Sequence, residues 1–201
     1  MIAVLDYGIG NLRSAEKALQ RVGADARLVT EPDQAEGATG VVLPGVGAFG
    51  RCLEALRSSG LDAVAIDAAR RDLPFLGICV GMQMLYEASA EDANARGLGV
   101  LEGRVGGLPP GPKSPQMQWN VLRPVPGRAS EMLRPLGDLP WVYFVHSFAP
   151  EPSADVVATC EYGGSVVAAV ERGRLWATQF HPEKSGAAGL ALLAGFVRAC
   201  S

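Results

Sequence analysis

The chain has 201 residues, of which 48% are hydrophobic and 19% are charged, and its formal net charge is −3. This length and composition are typical of one globular domain with a proper core and argue against a disordered chain. The slight acidic excess and the lack of a basic run argue against a protein that binds the phosphate backbone of a nucleic acid.

No basic leader precedes the short apolar run at the N-terminus, and no apolar stretch is long enough to span a bilayer. We therefore expect a cytoplasmic protein without membrane association. The four cysteines form no C-x-x-C pair and only two histidines are present, so we expect no metal site, no cofactor and no disulfide framework. Buried free thiols are the simplest interpretation of Cys52, Cys160 and Cys200.

The first half of the chain alternates short apolar runs with helical patterns. Apolar spacing predicts, in order, a strand at Ile2–Tyr7, a helix at Asn11–Val22, strands at Ala26–Val29 and Gly40–Pro44, helices at Phe49–Leu56 and Leu61–Arg71, a strand at Phe75–Cys79 and a helix starting near Gly81. Strands that are apolar on both faces and separated by helices indicate a parallel sheet covered on both sides.

The second half of the chain has a different character. Glycine and proline crowd the segment Gly107–Gln116, which predicts a loop, and the turns Tyr162–Gly164 and Arg172–Gly173 predict antiparallel hairpins. The predicted elements are strands at Met117–Leu122, Trp141–Phe148, Asp155–Cys160, Ser165–Val170 and Arg174–Phe180, and a closing helix at Gly186–Ala199. With no internal repeat and no linker, residues 1–201 are predicted to form a single α/β domain, with a mostly parallel central sheet between helices and an antiparallel, strand-rich C-terminal half.

A candidate nucleophile lies at the turn from the fourth predicted strand into the next helix. There Gly77 and Gly81 flank Cys79 in the pattern G-x-C-x-G, the thiol version of a nucleophile elbow. Such a turn lifts the sulfur above the sheet edge, and the start of a helix favours the thiolate. The alternative is a buried cysteine in a glycine-containing strand, and this short pattern alone does not decide between them.

The candidate base and its orienting acid follow the last predicted strand. A cysteine–histidine pair must use His146 or His181, and His181 lies just past the strand end, before Pro182. Glu183 is close enough along the chain to accept a hydrogen bond from the imidazole, so Cys79, His181 and Glu183 are candidates for a catalytic triad. An isolated H-x-E pattern is more often a solvated surface loop.

Two glycine-containing loops follow predicted strands. In the loop after the third strand, Gly45, Val46 and Gly47 can direct backbone N–H groups at a developing oxyanion, and the N–H of Val80 would be a further donor. The alternative is a plain strand-to-helix loop. The segment Asp6–Asn11 carries G-x-G, but its dinucleotide-binding fingerprint is incomplete because the third glycine is missing.

Taken together, these motifs resemble the class I, or triad, glutamine amidotransferases, whose fold is flavodoxin-like. Within that class they look like the glutaminase subunits of imidazole glycerol phosphate synthase, from histidine biosynthesis. The segments that carry the resemblance are Asp6–Ser14, Leu43–Phe49, Gly77–Gln83, Trp119–Asn120, Tyr143–Ser147 and Gln179–Ser185.

The resemblance implies a reaction and assigns roles to residues. Cys79 attacks the carboxamide of glutamine, ammonia leaves, and the glutamyl thioester is hydrolysed to glutamate with His181 as the acid and base and Glu183 as its orienter. The implied oxyanion-hole residues are Gly45, Val46, Gly47 and Val80. The residues implied to bind glutamine are Gln83, His146, Ser147 and Phe148.

The resemblance also implies a partner. Ammonia would pass to a (β/α)₈ cyclase subunit in a heterodimer, and there form imidazole glycerol phosphate and an aminoimidazole carboxamide ribotide. The residues implied to lie at that interface are Asn11, Trp119, Asn120, Tyr143 and Lys184. This sequence departs from the family pattern at Gln118, where glycine is common, and at Phe148, where tyrosine is common.

Two other functions stay open from the sequence. One is a glutaminase subunit that serves a different acceptor, in vitamin B6 or para-aminobenzoate synthesis. The other is a non-catalytic regulatory module on the same fold, although a module of that kind would need none of the three triad residues.

Overall fold

The computed structural model of the protein describes residues 1–111 and 113–201. Its elements, in chain order, are β1 (Ile2–Leu5), α1 (Leu12–Arg21), β2 (Ala26–Val29), β3 (Gly40–Gly45), α2 (Phe49–Ser58), α3 (Leu61–Arg70), β4 (Phe75–Cys79), α4 (Val80–Met84), β5 (Ala88–Ser89), β6 (Asp92–Arg96), β7 (Arg104–Gly107), β8 (Gln116–Val121), β9 (Arg123–Pro124), β10 (Trp141–His146), β11 (Phe148–Pro150), β12 (Val156–Glu161), β13 (Ser165–Arg172), β14 (Leu175–Thr178) and α5 (Gly186–Ala199). Short 3₁₀ helices lie at Pro32–Ala35, Arg134–Leu136 and Pro182–Lys184.

An eight-stranded sheet in the order β2-β1-β3-β4-β14-β13-β12-β9 forms the centre of the molecule. The first five of these strands are parallel, and the other three are antiparallel to their neighbours. Every residue of β1, β3, β4 and β14 is buried, as their unbroken apolar character requires. The predicted fold class, a mostly parallel sheet joined to an antiparallel second half, is confirmed.

The helices cover the sheet in two groups. The chain moves from β1 to β2 in one direction along the sheet and from β3 to β4 in the other, so right-handed crossovers place α1 and the α2–α3 pair on opposite faces. Helix α5 contacts α1, and α2 contacts α3. The carboxyl ends of the parallel strands meet at one edge of the sheet, which is where ligands bind in folds of this type.

Two smaller sheets complete the fold: the antiparallel pair β8–β10, and a four-stranded sheet in the order β11-β7-β5-β6. Sequence patterns did not predict β5, β6, β7 or β9, because these strands have two to five residues and little apolar alternation. The predicted strand Trp141–Phe148 was wrong in one respect, since it divides at Ser147 into β10 and β11, which pair in different sheets.

Several predicted boundaries also differ from the structure. The first strand ends at Leu5 rather than Tyr7, and β14 ends at Thr178 rather than Phe180. The helix predicted to start near Gly81 has only five residues, and the predicted loop Gly107–Gln116 has strand residues at both its ends. Pro112, within that loop, lies outside the described residues. Among the described helices, none combines the length and the apolarity needed to cross a membrane.

Gly189 sets how closely α5 approaches the turn Pro182–Lys184. A Cβ at Gly189 would lie 1.9 Å from the carbonyl oxygen of Pro182, which is backbone and cannot move aside cheaply. Gly195, in the same helix, would place its Cβ 3.4 Å from a side-chain carbon of Pro135, an ordinary contact. Only the first glycine is therefore required by packing.

We expect Gly189→Ala to lower the free energy of unfolding by about 1–3 kcal/mol, the usual cost of forcing an atom into packed space. Gly195→Ala is the matched control, and we expect it to be neutral or to stabilise the protein by up to about 1 kcal/mol through helix propensity. Urea unfolding of the two variants and the parent measures both effects. Equal stability of the two variants would contradict the packing argument.

Candidate active site

Cys79 lies at the junction of β4 and α4 in a sharply strained backbone conformation. Its φ of 55° and ψ of −112° belong to a region that residues other than glycine rarely adopt. Its neighbour Gly81 could not carry a side chain, because a Cβ there would lie 1.8 Å from the carbonyl oxygen of Leu43. The elbow predicted from G-x-C-x-G therefore has its expected shape. The helix after it is short, so its dipole contributes less than a full helix would.

His181 and Glu183 form a buried hydrogen-bonded pair just beyond the end of β14. The Nδ1 atom of His181 is 2.8 Å from Oε1 of Glu183, and each side chain is 1% exposed. Burial alone would lower the pKa of His181, but the neighbouring Cys79 and the hydrogen-bonded carboxylate of Glu183 outweigh it and hold the pKa above its usual value. The carboxylate fixes Nδ1 as a donor, so Nε2 is the ring atom left to exchange a proton with the thiol.

One cavity of about 250 Å³ brings most of the candidate residues together. Cys79 and His181 both line it, although they are far apart in the chain. The full lining is Val46, Gly47, Cys79, Val80, Gln83, Glu91, Pro115, Val145, His146, Ser147, Phe148 and His181. Two candidates lie behind this wall: Glu183, which contacts His181, and Gly45, which pairs with Cys79 between β3 and β4.

A chain of buried amides connects the cavity wall to the sulfur. Gln83 donates from Nε2 to the carbonyl of Phe148 at 2.9 Å and to Oε1 of Gln179 at 3.0 Å. Gln179 in turn lies with its Nε2 3.6 Å from Sγ of Cys79. Both amide hydrogens of Gln83 are thus engaged within the protein, which leaves its oxygen for the cavity. We did not single out Gln179 from the sequence, although its place two residues before His181 is a usable signal.

His146 is buried and held by the main chain two residues further on. Its Nδ1 is 2.8 Å from the carbonyl oxygen of Phe148, so Nδ1 carries the proton and Nε2 is left as an acceptor. Burial lowers the pKa of His146 to about 4, against the smaller opposing effect of that hydrogen bond. His146 is therefore neutral at pH 7. The hydrogen bond from His146 uses the main-chain carbonyl of Phe148. It therefore does not depend on the hydroxyl of the tyrosine that is common at this position in the family.

Two further residues at this site escaped the sequence analysis. Glu91 lines the cavity, and its Oε2 accepts a hydrogen bond at 3.0 Å from the N–H of Phe49 at the start of α2. Tyr7, just beyond β1, donates from its hydroxyl to the carbonyl of Pro44 at 2.7 Å. Glu91 lies in a polar segment without a recognisable motif, which is why no pattern pointed to it.

The residues proposed for a partner surface lie outside the cavity. In the β8–β10 pair, Trp119 stands opposite Tyr143, with the ring centroids 6.2 Å apart. Side chains on this face are unusually exposed for their type: Met117 is 62% exposed, Trp119 48% and Trp141 58%. We call these three residues and Tyr143 the outer ribbon face. A contiguous apolar face of this kind is typical of an interaction surface.

The other proposed interface residues differ in location and exposure. Asn120 lies on the opposite face of the ribbon from Trp119, and its amide donates to the carbonyl of Glu161 at 2.9 Å. Lys184 is exposed in the 3₁₀ turn after Glu183. Asn11 is half-buried at the start of α1, a helix that contacts that same turn. Asn120 is therefore not part of the outer ribbon face.

Within residues 1–111 and 113–201, no cluster of three or more histidine, cysteine or acidic side chains is arranged to hold a metal ion. The four cysteines are free and buried. Cys79 differs from the other three in its strained backbone and in sharing a cavity with a histidine.

Comparison with known proteins defines the class. A family model described as glutamine amidotransferase class-I matches residues 3–200. A solved glutamine amidotransferase superimposes with a TM-score of 0.78 at 21% identity, covering 99% of this chain and 98% of the other. PurLQS from Thermotoga maritima gives a TM-score of 0.74 at 20% identity, covering 98% of this chain and 96% of the other. The chain belongs to the class I glutamine amidotransferases, and the family resemblance read from its motifs is confirmed.

Within that class, curated relatives indicate which kind of amidotransferase subunit the chain is similar to. The chain is 47% identical to the imidazole glycerol phosphate synthase subunit HisH of Methanothermobacter thermautotrophicus, over 98% of each chain. It is 45% identical to the subunit of the same name from Salinibacter ruber, over 98% of this chain and 93% of the relative. The HisH subunit of Deinococcus radiodurans gives the same identity and coverage.

The depressed pKa of His146 predicts a pH dependence of stability. As the pH falls from 6.5 towards 4, the unfolded chain binds a proton at this residue before the folded chain does, so the free energy of unfolding decreases. Between pH 7 and pH 5 this contribution is about 2 kcal/mol.

We expect His146→Asn, which keeps a donor near the Nδ1 position, to lose about 2 kcal/mol less stability than the parent over that interval. Urea unfolding at both pH values measures the difference, and His181 is present in both proteins, so its own contribution cancels. The same loss in parent and variant would show that His146 is not held neutral by burial.

Proposed function

We propose that residues 1–201 form a single amidotransferase domain that acts as the glutaminase subunit of an imidazole glycerol phosphate synthase. It hydrolyses glutamine to glutamate and passes ammonia to a (β/α)₈ cyclase subunit in histidine biosynthesis. The observation that carries this proposal is that His181, hydrogen-bonded to the buried Glu183 behind it, lines the same cavity as Cys79. The near-full-length similarity to HisH subunits selects the acceptor.

In the proposed reaction, the thiol of Cys79 transfers its proton to Nε2 of His181, and the sulfur attacks the side-chain carbonyl carbon of glutamine. The carbon–nitrogen bond then breaks as His181 returns the proton to the leaving nitrogen, which departs as ammonia. A water molecule, deprotonated by the same imidazole, then attacks the thioester carbon. The carbon–sulfur bond breaks, glutamate leaves, and the imidazolium returns its proton to the sulfur of Cys79. Glu183 stabilises the imidazolium formed in each half-reaction.

The oxyanion of the tetrahedral intermediates needs donors on the far side of the cavity from His181. We assign this role to backbone N–H groups of Val80 and of the loop containing Gly45, Val46 and Gly47. Val46, Gly47 and Val80 line the cavity with Cys79, which supports the assignment. A preorganised donor at such a position typically contributes about 10²–10³ in rate.

The amino-acid end of glutamine needs partners for a carboxylate and an ammonium group. Besides His181, the cavity wall offers the amide oxygen of Gln83, the carboxylate of Glu91 and the segment His146–Phe148. We propose that the carboxylate of Glu91 faces the substrate ammonium and that the His146–Phe148 segment supports the substrate carboxylate. Neutral His146 acts here as a positioning residue rather than as a second base.

Cys79→Ala tests the proposed chemistry in the complex with a cyclase subunit. We expect glutamine-dependent turnover to fall at least about 10³-fold, because the nucleophile and its base act as a unit. Turnover with added ammonium salt should stay within about twofold of the parent, since it bypasses the glutaminase site. Product formation from the ribulosyl phosphate substrate measures both activities.

Cys160→Ala is the control for loss of a buried thiol elsewhere in the protein. A diazo ketone analogue of glutamine should alkylate Cys79 and spare Cys52, Cys160 and Cys200. Loss of both activities in Cys79→Ala would show that the residue is structural, and even labelling of all four thiols would favour a non-catalytic module.

The outer ribbon face supports the proposed heterodimer. Trp119, Trp141 and Met117 present apolar side chains to solvent on one side of a two-stranded ribbon. The other end of the same ribbon reaches the cavity through Val145 and His146. A cyclase docked on this face would therefore lie close to the point where ammonia is released.

We expect Trp119→Glu to weaken binding of the cyclase subunit by about 10–100-fold, since burial of a large aromatic side chain contributes about 1.5–3 kcal/mol. Gln118→Glu adds the same charge at the next residue, and we expect it to change the affinity by less than about threefold. Calorimetric titration with the cyclase subunit measures both. Equal weakening by the two variants would place the docking surface elsewhere.

A further inference from the structure

The hydrogen bonds of the buried amide chain that ends at Cys79 can run in only one direction. The first joins Nε2 of Gln83 to the carbonyl oxygen of Phe148 at 2.9 Å, and a main-chain carbonyl can only accept. The amide nitrogen of Gln83 is therefore fixed on this side, and the Gln179 atom 3.0 Å from it must be the acceptor oxygen. It follows that the end of the Gln179 amide next to the sulfur is its NH₂ group.

The amide of Gln179 is held in place through its main chain as well as its side chain. Gln179 directly follows β14, and its backbone N–H donates to the carbonyl of Ala168 in β13 at 2.8 Å. The side chains of Gln179 and Gln83 are both buried, so water cannot take over the hydrogen bond between them. Nε2 of Gln179 lies 3.6 Å from Sγ of Cys79, within hydrogen-bonding distance for a sulfur acceptor.

The sulfur of Cys79 has another polar neighbour, of the opposite character. The carbonyl oxygen of Val145 lies 3.8 Å from Sγ, where it can accept from the thiol but would repel the thiolate. A buried anion is costly without hydrogen-bond donors. The structure supplies a donor from the amide of Gln179, in addition to the imidazole of His181 in the same cavity.

We propose that Gln179 is a catalytic residue of glutamine hydrolysis: its amide donates a hydrogen bond to the sulfur of Cys79 and stabilises the thiolate that attacks glutamine. This inference rests on the proposed function. The same donor acts again when the carbon–sulfur bond of the thioester breaks, because negative charge then returns to the sulfur. The amide itself gives up no proton, since the proton of the thiol moves only between the sulfur and Nε2 of His181.

A donor to the sulfur can be distinguished from a residue that only fills space or supports Gln83. Gln179→Glu keeps the shape and the acceptor for Gln83 but turns a second acceptor oxygen towards the sulfur. Gln179→Met keeps most of the volume and removes both functions. Gln116→Met is the matched control, because Gln116 is also fully buried and its amide nitrogen lies 3.7 Å from the sulfur of Cys160, outside the cavity.

The first test is alkylation of Cys79 by iodoacetamide in the free chain, a reaction of the thiolate that needs neither glutamine nor a partner. At pH 7 we expect Gln179→Met to slow it about tenfold, the effect of losing one hydrogen bond to a charged group. Gln179→Glu should slow it at least as much. Near pH 10 the Met variant should approach the parent rate, and Gln116→Met should stay within about twofold of the parent throughout.

The ionisable groups around the sulfur are the same in all of these variants. They are His181, Tyr7 and Cys52, with Glu91 in the wall of the cavity. A change in the pH profile of alkylation therefore reports the loss of the amide donor.

The second test is glutamate release by the complex with a cyclase subunit. We expect both Gln179 variants to lower kcat at least about tenfold, because the amide contacts the nucleophile. KM for glutamine should change less than about threefold in Gln179→Glu, which keeps the contact with Gln83. Gln116→Met should stay within about twofold of the parent in both constants.

Gln179→Glu decides the matter even if Gln179→Met does not fold, since it keeps the shape of the original side chain. An unchanged alkylation rate or an unchanged kcat in Gln179→Glu would overturn the inference, and so would an equal loss in Gln116→Met. Absence of glutamine turnover in the parent complex would instead contradict the proposed function. Alkylation of the free chain would then still decide whether Gln179 stabilises the thiolate.

Discussion

The hydrogen bond between His181 and Glu183 is the constraint on which the rest of the site depends. An imidazole buried to this degree would lose its affinity for protons, and a carboxylate partner in the same dry environment reverses that effect together with Cys79. The protein supplies the partner two residues away along the chain. Pro182, between them, begins the short 3₁₀ helix Pro182–Lys184, and this local turn brings the carboxylate against the ring.

Close packing of main chains also positions the segments that carry this pair and Cys79. Gly81 lets α4 approach the end of β3, and Gly189 lets α5 approach the turn that contains Glu183. Each glycine removes one side chain from a contact between backbones, where nothing can rearrange to make room. Cys79 and His181, the proposed nucleophile and base, are therefore positioned at the ends of neighbouring strands of one sheet rather than by mobile loops.

Part of the fold and part of the candidate site could be predicted from the sequence. The unbroken apolar runs of β1, β3 and β4 predict a parallel sheet, and the glycines around Cys79 predict its elbow, because both follow from local sterics. Strands such as Asp92–Arg96 could not be predicted, since they have no alternation and exist only through pairing with neighbours. Glu91 was missed for the same reason: it reaches the cavity through tertiary packing.

Strand β10 contributes both to the outer ribbon face and to the hydrogen bonds that hold His181. Trp141 and Tyr143 contribute side chains to the outer ribbon face, while the carbonyl of Tyr143 accepts a hydrogen bond from the N–H of His181 at 3.0 Å. The N–H of Tyr143 donates to Ser185, whose hydroxyl donates in turn to the carbonyl of His181 at 2.6 Å. In the proposed heterodimer, a subunit bound against the side chains of Trp119 and Trp141 would thus be one peptide group of β10 away from His181, the proposed general base. Communication between the two active sites would then require only a small tilt of one strand, with no relay of side chains through the core.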